Sequence, residues 1–301
     1  MTSSWLVGVD IGGTKTHVRA VPADLPGHTV LDRVVPSDGW AVPPIEAGAD
    51  WLAVRLGAVL GSEVSLASVA VGAHGCERRR QCVELSAALS VRLGCPVTTV
   101  NDAELLVPAA GFDEGIGVVV GTGAIAVATG GGDDLVRAGG WGWVLSDDGS
   151  ASALVRDAAR AVLRRADRGQ EPDALGLALM RSVGVGDPAD LAHSLSWGDG
   201  PEHWGRHGRA VTHAASEGSA DARAVLAQGA DGIAELVTTL ADRGVATNTV
   251  VLGGGLMAQV PAYADAVRER ILRAHPLARV ELLRAPPVEG ALRLAQQARK
   301  R

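Results

Sequence analysis

Residues 7 to 19 read Val7-Gly-Val-Asp-Ile-Gly-Gly-Thr-Lys-Thr-His-Val-Arg19, and this stretch decides the fold. An apolar run that begins at Trp5 ends in the glycine pair Gly12-Gly13, and the apolar pattern resumes at Val18. Runs of β-favouring residues separated by a short glycine turn predict a strand, a tight turn and a returning strand. We therefore expect the chain to open with a β-hairpin whose turn is unusually rich in glycine and hydroxyl groups.

The turn consists of Gly12, Gly13, Thr14, Lys15 and Thr16, a composition that suits phosphate binding. Glycines lack a Cβ and let backbone N–H groups approach an anion closely, while the hydroxyls and the lysine add donors and charge. A P-loop is excluded, because Gly13 is followed by threonine before the lysine and no helix opens after the turn. A plain hairpin remains an alternative interpretation of this turn taken alone.

A second glycine turn and a third glycine cluster support the phosphate interpretation. Residues 117–129 repeat the pattern of strand, Gly-Thr-Gly turn and strand, and residues 249–256 place three glycines between a strand and a helix. The residues concerned are Gly121, Thr122 and Gly123, and then Gly253, Gly254 and Gly255. A dinucleotide fingerprint, Gly-x-Gly-x-x-Ala, also matches at both places, but its occurrence within a predicted hairpin shows how little that pattern discriminates.

Asp102 follows the predicted buried strand Val97–Val100 and precedes a helical run over 103–110. Open α/β sheets place their chemistry at the carboxyl ends of strands, so this carboxylate is a candidate catalytic group. It also fits a helix N-cap, which is a structural role. The two roles do not exclude each other.

The composition limits the classes of function. The chain has 301 residues, of which 47% are hydrophobic, and a formal net charge of -6. This length suits two modest domains, and the acidic balance argues against a nucleic-acid partner. Lys15 and Lys300 are the only lysines, and three cysteines in no Cys-x-x-Cys pattern predict reduced thiols in a cytoplasmic protein. No signal peptide or apolar run of about 18 residues is present, so no membrane partner is expected.

The order of the motifs along the chain resembles the sugar kinase, actin and Hsp70 superfamily, and within it the N-acetylglucosamine kinase and BadF/BadG-type ATPase family. The stretches that carry the resemblance are residues 8–16, 100–103, 121–123, 139–142, 147–150, 252–255 and 286–291. It implies an α/β fold of two actin-like (ribonuclease H-like) domains with a nucleotide cleft between them. The expected N-terminal domain is 1–111, joined by the C-terminal helix 290–301, and the second domain is 112–289.

The resemblance also implies roles for individual residues. ATP phosphates would be bound by the two glycine turns, and Gly253 to Gly255 would let the backbone pass the adenine and ribose. Asp10 would hold Mg²⁺ through water, because this ion dehydrates reluctantly and often takes only one or two carboxylates. Asp102 corresponds to the general base that takes the proton of an attacking hydroxyl.

The same resemblance implies a sugar site, for which carboxylates are suited because they accept several hydrogen bonds. Its expected members are His74, Gly75, Asn101, Trp141, Asp147 and Asp148. Asp147 could instead cap the helix that begins near Ser150. The family pattern Gly-Thr-Gly-Ser-Asn becomes Gly-Thr-Gly-Ala-Ile over 121–125, so two polar groups expected to face the sugar are lost.

The resulting expectation is an ATP-dependent kinase of an amino sugar, N-acetylglucosamine or a relative such as glucosamine. A homodimer is the default expectation for a kinase of this kind, although nothing in the chain identifies the surface. Two alternatives stay open: a nucleotide or sugar sensor without kinase activity, and a BadF-type activating ATPase. The pattern further predicts one helical region over 209–240, a hairpin turn at 130–134, and a solvated loop around His203 and His207 rather than a metal site.

Overall fold

The computed structural model describes residues 4–25, 28–61, 64–129, 135–198 and 200–300. The predicted turn at 130–134 lies outside the described residues. The chain divides into two compact units. Unit 1 comprises Met1–Gly117, Val127–Val136 and Leu283–Arg301, and unit 2 comprises Val118–Ala126 and Arg137–Leu282.

Unit 1 is built on a five-stranded sheet with the order β3-β2-β1-β4-β5. Its strands are β1 (Trp5–Ile11), β2 (Lys15–Pro22), β3 (Leu31–Pro36), β4 (Leu66–Ala73) and β5 (Val97–Val100). The opening stretch forms the predicted hairpin, because β1 and β2 pair antiparallel. Strand β1 also pairs parallel with β4, and β4 pairs parallel with β5. The carboxyl ends of these three strands therefore meet at one edge of the sheet.

Both faces of this sheet are covered by helices, which explains the continuous apolar run in β1. One face packs on α1 (Ile45–Leu60) and α2 (Arg79–Leu93), with Val9 and Leu52 in one buried cluster. The other face packs on α12 (Val288–Lys300), where Leu292 joins Leu6. The approach of α12 is close, since a Cβ on Gly8 would lie 2.7 Å from the Leu292 amide nitrogen.

After β5 the chain enters a single 3-10 turn, Asp102–Leu105, and the short helix α3 (Leu106–Ala109). Here α12 approaches again, because a Cβ on Gly290 would lie 2.2 Å from the Leu105 carbonyl oxygen. A glycine is therefore required at position 290 for the helix to reach this turn.

The second five-stranded sheet has the order β10-β9-β6-β7-β8. Its strands are β6 (Gly115–Val120), β7 (Ala124–Thr129), β8 (Arg137–Gly139), β9 (Thr249–Gly253) and β10 (Arg279–Leu282). The helices of unit 2 are α4 (Ala151–Asp167), α5 (Ala174–Val183), α6 (Pro188–Ser196), α7 (Gly200–Gly205), α8 (Gly208–Ser216), α9 (Ala220–Asp242), α10 (Gly255–Gln259) and α11 (Pro261–Ala274).

The predicted helical region over 209–240 is present as two helices, α8 and α9. They are separated at Gly218, which has φ +101°, and Ser219 caps α9 through the Ala222 amide. One expectation for unit 2 was wrong: the predicted solvated loop around His203 and His207 contains α7, and His207 is buried. In the part of the chain that the structure describes, no helix is both long and apolar enough to span a membrane.

Candidate active site

In unit 1 the predicted catalytic residues stand at the shared edge of three parallel strands. Asp10 pairs with Gly72 in the sheet register, and Gly72 pairs with Val100, two residues before Asp102. The strand order thus brings the two carboxylates to the same edge, where α/β sheets bind their ligands. The Leu105 side chain packs closely on Gly72 between them, and it would have to shift to admit a Cβ, which would lie 2.3 Å from Leu105 Cδ1.

The glycine turn lies at the same edge and is only partly as predicted. Gly13, Thr14 and Lys15 are exposed, and the turn is closed by a 3.0 Å hydrogen bond from the Gly12 amide to the Lys15 carbonyl. Thr16 differs, since it is buried and its hydroxyl lies 2.9 Å from the Ser37 hydroxyl. Thr14 and Lys15 therefore present free donor groups on the surface of unit 1, whereas the Thr16 hydroxyl is engaged inside it.

Asp102 is not the helix cap. Asn101 takes that role, because its side-chain oxygen accepts a 3.0 Å hydrogen bond from the Ala103 amide and the residue is 1% exposed. Glu104 completes a capping box by accepting a 2.8 Å bond from the Asn101 amide, and Arg79 pairs with this buried Glu104 at 2.8 Å. The Asp102 side chain, 31% exposed, is left available for another function.

Asp10 lies in an electrostatic environment that disfavours its charge. Burial and the neighbouring Asp102 carboxylate raise the pKa of Asp10 to about 7, and Lys15 opposes this only in part. Two nearby carboxylates with insufficient compensating charge are an arrangement that a cation relieves. A single carboxylate also suits Mg²⁺, which keeps several waters and takes its other ligands from phosphates. Among the described residues no group of three or more His, Cys, Asp or Glu forms a fuller metal site.

His74 and Gly75 follow β4 at this edge. The His74 Nδ1 atom lies 3.8 Å from Asp102 Oδ2, and the Asp102 carboxylate raises the pKa of His74. Gly75 has φ +86°, and a Cβ there would lie 3.2 Å from the Val42 carbonyl oxygen. A positive φ and this close approach both require glycine at position 75.

Unit 2 contains a pocket of about 370 Å³ that brings together the second glycine turn and the third glycine cluster. Its lining residues are Gly121, Thr122, Ala151, Gly205, Arg206, Gly208, Arg209, Gly255, Leu256, Gln259 and Val260. Gly254 lets β9 and α10 approach β6, because it has φ +98° and a Cβ there would lie 2.4 Å from the Val120 carbonyl oxygen. The second glycine turn and the third glycine cluster, which are about 130 residues apart in sequence, thus line the same pocket.

Two arginines of this pocket, Arg206 and Arg209, were not predicted. Both are exposed, and Arg209 donates a 2.7 Å hydrogen bond to the Gln259 side chain. They were missed because their segment lacks a clear apolar period. The sequence feature that could have indicated this segment is the pair of small residues Gly205 and Gly208. In the structure a Cβ at position 205 would lie 3.3 Å from Thr122 Cγ2, so the segment packs closely on the second glycine turn. The buried His207 beside them bonds Ser182 through Nδ1 at 2.9 Å, and its burial lowers its pKa.

The predicted sugar-binding acids of unit 2 have different environments. Asp147 is 7% exposed, has φ +63°, and its Oδ2 atom would lie 3.0 Å from a Cβ on Gly123. Burial raises the pKa of Asp147. Asp148 instead pairs with Arg156 at 2.9 Å. The cap of α4 is Ser150, which accepts a 3.2 Å bond from the Ala153 amide, so capping does not account for the strained Asp147.

Trp141 lies on the surface of unit 2, 68% exposed, with the Arg137 guanidinium 4.4 Å from its ring centre. Ile125 is one of the two residues that depart from the family pattern. It packs on Gly140, the residue before Trp141, because a Cβ on Gly140 would lie 2.8 Å from Ile125 Cδ1. Ala124 is buried. The apolar replacements therefore fill space next to the predicted sugar-binding segment.

Comparison with known proteins gives the family directly. The model of the BadF/BadG/BcrA/BcrD ATPase family matches residues 7–295. The chain belongs to this family. An N-acetyl-D-glucosamine kinase from Dictyostelium discoideum is 24% identical to this BadF/BadG/BcrA/BcrD family member over the full length of both chains. An N-acetylmuramic acid/N-acetylglucosamine kinase from Clostridium acetobutylicum is 28% identical over 54% of this chain and 55% of the relative.

A solved structure from Chromobacterium violaceum, a candidate N-acetylglucosamine kinase, matches this BadF/BadG/BcrA/BcrD family member with a TM-score of 0.73. The sequences are 21% identical, and the match covers 98% of this chain and 100% of the other. At this identity the likeness concerns the fold. It confirms the predicted fold class, a two-domain α/β protein of the sugar kinase and actin-like type.

Proposed function

We propose that this family member is an ATP-dependent kinase that transfers the γ-phosphoryl group to a hydroxyl of an amino sugar, N-acetylglucosamine or a relative such as glucosamine. The observation that carries the proposal is the Asp102 carboxylate. It stands at the carboxyl edge of the unit 1 sheet, partly exposed, while Asn101 performs the local capping. The names of the curated relatives support the same reaction class.

In this reaction Asp102 acts as general base. The acceptor hydroxyl gives its proton to a carboxylate oxygen of Asp102, its oxygen forms a bond to the γ-phosphorus, and the bond from that phosphorus to ADP breaks. Phosphoryl transfer depends mainly on positioning and charge neutralisation, and a positioned base contributes roughly 10²- to 10⁴-fold. A base whose carboxylate is not already committed to a structural bond suits this task.

The unit 2 pocket is our proposed nucleotide site. Backbone groups at Gly121 and Gly255 lie at its surface, and the exposed guanidinium groups of Arg206 and Arg209 supply positive charge. Arginine is well suited to phosphate and to stacking on planar groups. In unit 1, Thr14 and Lys15 keep their predicted role as hydrogen-bond donors to the phosphates of ATP.

Asp10 is the proposed Mg²⁺ ligand. The ion would neutralise phosphate charge during the transfer. Asp10 fits because its burial and the nearby Asp102 make an unpaired negative charge unfavourable there. Its own task is to hold the ion while Lys15 balances the remaining charge.

For the sugar we propose the segment with Trp141 and Asp147. The strained backbone of Asp147 and its position over Gly123 hold a carboxylate where a capping role does not require one. Since Ala124 and Ile125 replace polar residues, we propose that the N-acetyl arm is recognised less strongly than in relatives with the family pattern. Glucosamine then becomes a serious candidate beside N-acetylglucosamine.

The two alternatives differ in support. A sensor without kinase activity draws on the same apolar replacements at Ala124 and Ile125. An activating ATPase needs cysteines that share an iron–sulfur cluster between subunits. Cys76, Cys82 and Cys95 are all buried in unit 1, which does not favour that activity. The domain boundaries at 111 and 290, the cytoplasmic location and the homodimer are retained as proposals.

The test is a coupled assay of ADP release with Mg-ATP and a panel of N-acetylglucosamine, glucosamine, N-acetylmannosamine, N-acetylmuramic acid and glucose. We expect turnover with an amino sugar and a fall in kcat of roughly 10²- to 10⁴-fold in Asp102→Asn. Asp50→Asn, which removes an exposed carboxylate that pairs with Arg92, is the matched control and should stay active. ADP release that is independent of every sugar, or undiminished in Asp102→Asn, would refute the proposal.

A further inference from the structure

His74 and Asp102 form a histidine–carboxylate pair at the edge of the unit 1 sheet. The 3.8 Å between Nδ1 and Oδ2 is longer than a hydrogen bond but within the range in which the two groups interact electrostatically. Hydrogen bonds of catalytic groups are often long before substrate binds and shorten in the complex. The pair therefore has the geometry of a general base, Asp102, with a neighbouring imidazole that can hydrogen-bond to it.

The backbone of His74 is fixed on both sides. Its amide donates a 2.9 Å bond to the Ile11 carbonyl at the end of β1, and its carbonyl accepts a 3.0 Å bond from Trp40 Nε1. The next residue, Gly75, turns the chain with φ +86°. These contacts leave rotation of the side chain as the main freedom of the imidazole.

A buried side chain also fixes the separation between the two segments. Asn101 donates through Nδ2 to the Cys76 carbonyl at 3.2 Å, while its oxygen accepts from the Ala103 amide at 3.0 Å. Because Asn101 is 1% exposed, water competes little for these bonds. The segment that carries His74 is thus tied to the segment that carries Asp102.

The charges and exposures around the pair favour transfer of a proton from Asp102 to the His74 imidazole. Asp102 and Glu77 face the imidazole electrostatically and favour its protonated form, and burial opposes them. The side chain of Asp102 is 31% exposed and that of His74 is 56% exposed. A proton that leaves Asp102 for the imidazole therefore moves toward solvent.

We propose that His74 is a positioning residue for Asp102, orienting its carboxylate and receiving the proton that Asp102 has taken from the acceptor hydroxyl. The inference rests on the proposed kinase function. In this step the hydroxyl O–H bond breaks, the O–P bond forms, ADP leaves, and the proton passes from Asp102 to an imidazole nitrogen of neutral His74 and then to water. His74 acts through Asp102 and needs no contact with the sugar.

The test compares His74→Ala and His74→Gln with the wild-type enzyme in steady-state kinetics on the sugar that it phosphorylates. We expect kcat to fall about 10- to 100-fold in His74→Ala, the usual effect of losing a group that orients a functional side chain, with the sugar KM within about twofold. Added imidazole should restore part of kcat to His74→Ala and none to Asp102→Asn. His213→Gln, which breaks an exposed histidine–carboxylate pair of 3.2 Å with Glu217, should be unaffected.

The outcomes separate this inference from the function on which it rests. An unchanged kcat in His74→Ala, or a loss confined to the sugar KM, overturns the positioning role while the kinase stands. Loss of kcat that imidazole does not restore, together with a lowered unfolding temperature, also overturns it, because the effect is then structural. If the wild-type protein phosphorylates no sugar, the proposed function fails, and this inference fails with it.

Discussion

Individual carboxylates in unit 1 differ because their neighbours differ. Glu104 is 3% exposed and is compensated by Arg79 and the Asn101 amide. Among the residues that the structure describes, Asp10 has no comparable partner, and its pKa is raised to about 7 by burial and by Asp102. A largely desolvated acid with insufficient compensating charge opposes folding at the pH where it must ionise. The strand edge thus gives up some stability to hold the proposed Mg²⁺ ligand.

A pH-dependent loss of stability follows for the metal-free protein. Below about pH 4 Asp10 is protonated in both the folded and the unfolded chain. Between about pH 4 and 7 the unfolded chain releases this proton and the folded protein keeps it, so Asp10 makes the folded state less stable as the pH rises. The effect reaches at most about 4 kcal/mol.

Chemical unfolding of the wild-type protein and Asp10→Asn in a chelator, from pH 4 to pH 8, measures this effect. We expect the free energy of unfolding of Asp10→Asn, minus that of the wild type, to increase over this range and to level off above about pH 7. Asp242→Asn, at an exposed position, controls for the general loss of a carboxylate. A difference that stays constant or falls with pH would contradict the assignment.

Helix α12 shows how one element depends on single glycines. It covers a face of the unit 1 sheet and meets the turn after β5 at Gly290. The atom in the way of a side chain there is the backbone carbonyl of Leu105, which cannot rotate aside as a side chain would. Displacement of α12 would also disturb the turn that begins with Asp102.

We therefore expect Gly290→Ala to destabilise the protein by about 1–3 kcal/mol, the usual cost of overpacking. The matched control is Gly57→Ala in α1, where nothing lies within 4 Å of the added Cβ and an alanine should stabilise the helix by up to about 1 kcal/mol. Urea unfolding of both variants measures the two effects. Equal stabilities for the two variants would show that α12 can shift without cost.

Elements with a strong local pattern were predictable, and those decided by tertiary contacts were not. The run from Trp5 to Ile11 is apolar at nearly every position, and it forms the strand expected. The sequence predicted a helical region over 209–240 but not its division at Gly218, because the alanine-rich residues on both sides favour helix. Likewise Asn101, rather than Asp102, became the cap because the turn starts one residue earlier than the apolar pattern suggests.

At the scale of the whole chain, the glycines that line the unit 2 pocket could be predicted from the sequence, whereas its arginines could not. Gly121 and Gly255 are visible in the sequence because they interrupt apolar strands. Arg206 and Arg209 are two of many arginines, and only the fold places them at the same pocket. The hydroxyl of Thr16 was assigned to the ligand, yet its contact with Ser37 depends on a loop more than twenty residues away.

Nucleotide binding should slow amide hydrogen exchange in defined segments of the chain. We expect ADP to slow amide hydrogen exchange at 118–126, 205–209 and 253–260, which line or support the 370 Å³ pocket. A second unit 2 pocket of about 300 Å³, mainly apolar and lined by residues that include Leu226, Tyr263 and Arg270, serves as the internal comparison. Protection centred on 212–227 instead of the first three segments would move the nucleotide site to that pocket.

The near absence of lysine has a practical meaning for chemical biology. Of two lysines in 301 residues, Lys15 stands exposed in the glycine turn next to the proposed catalytic edge. A reagent that acylates amines therefore finds few competing side chains, and a nucleotide carrying such an electrophile on its terminal phosphate would report its own location by the peptide that it labels. Because lysine is so scarce in this chain, the glycine turn is a selective attachment point for covalent probes.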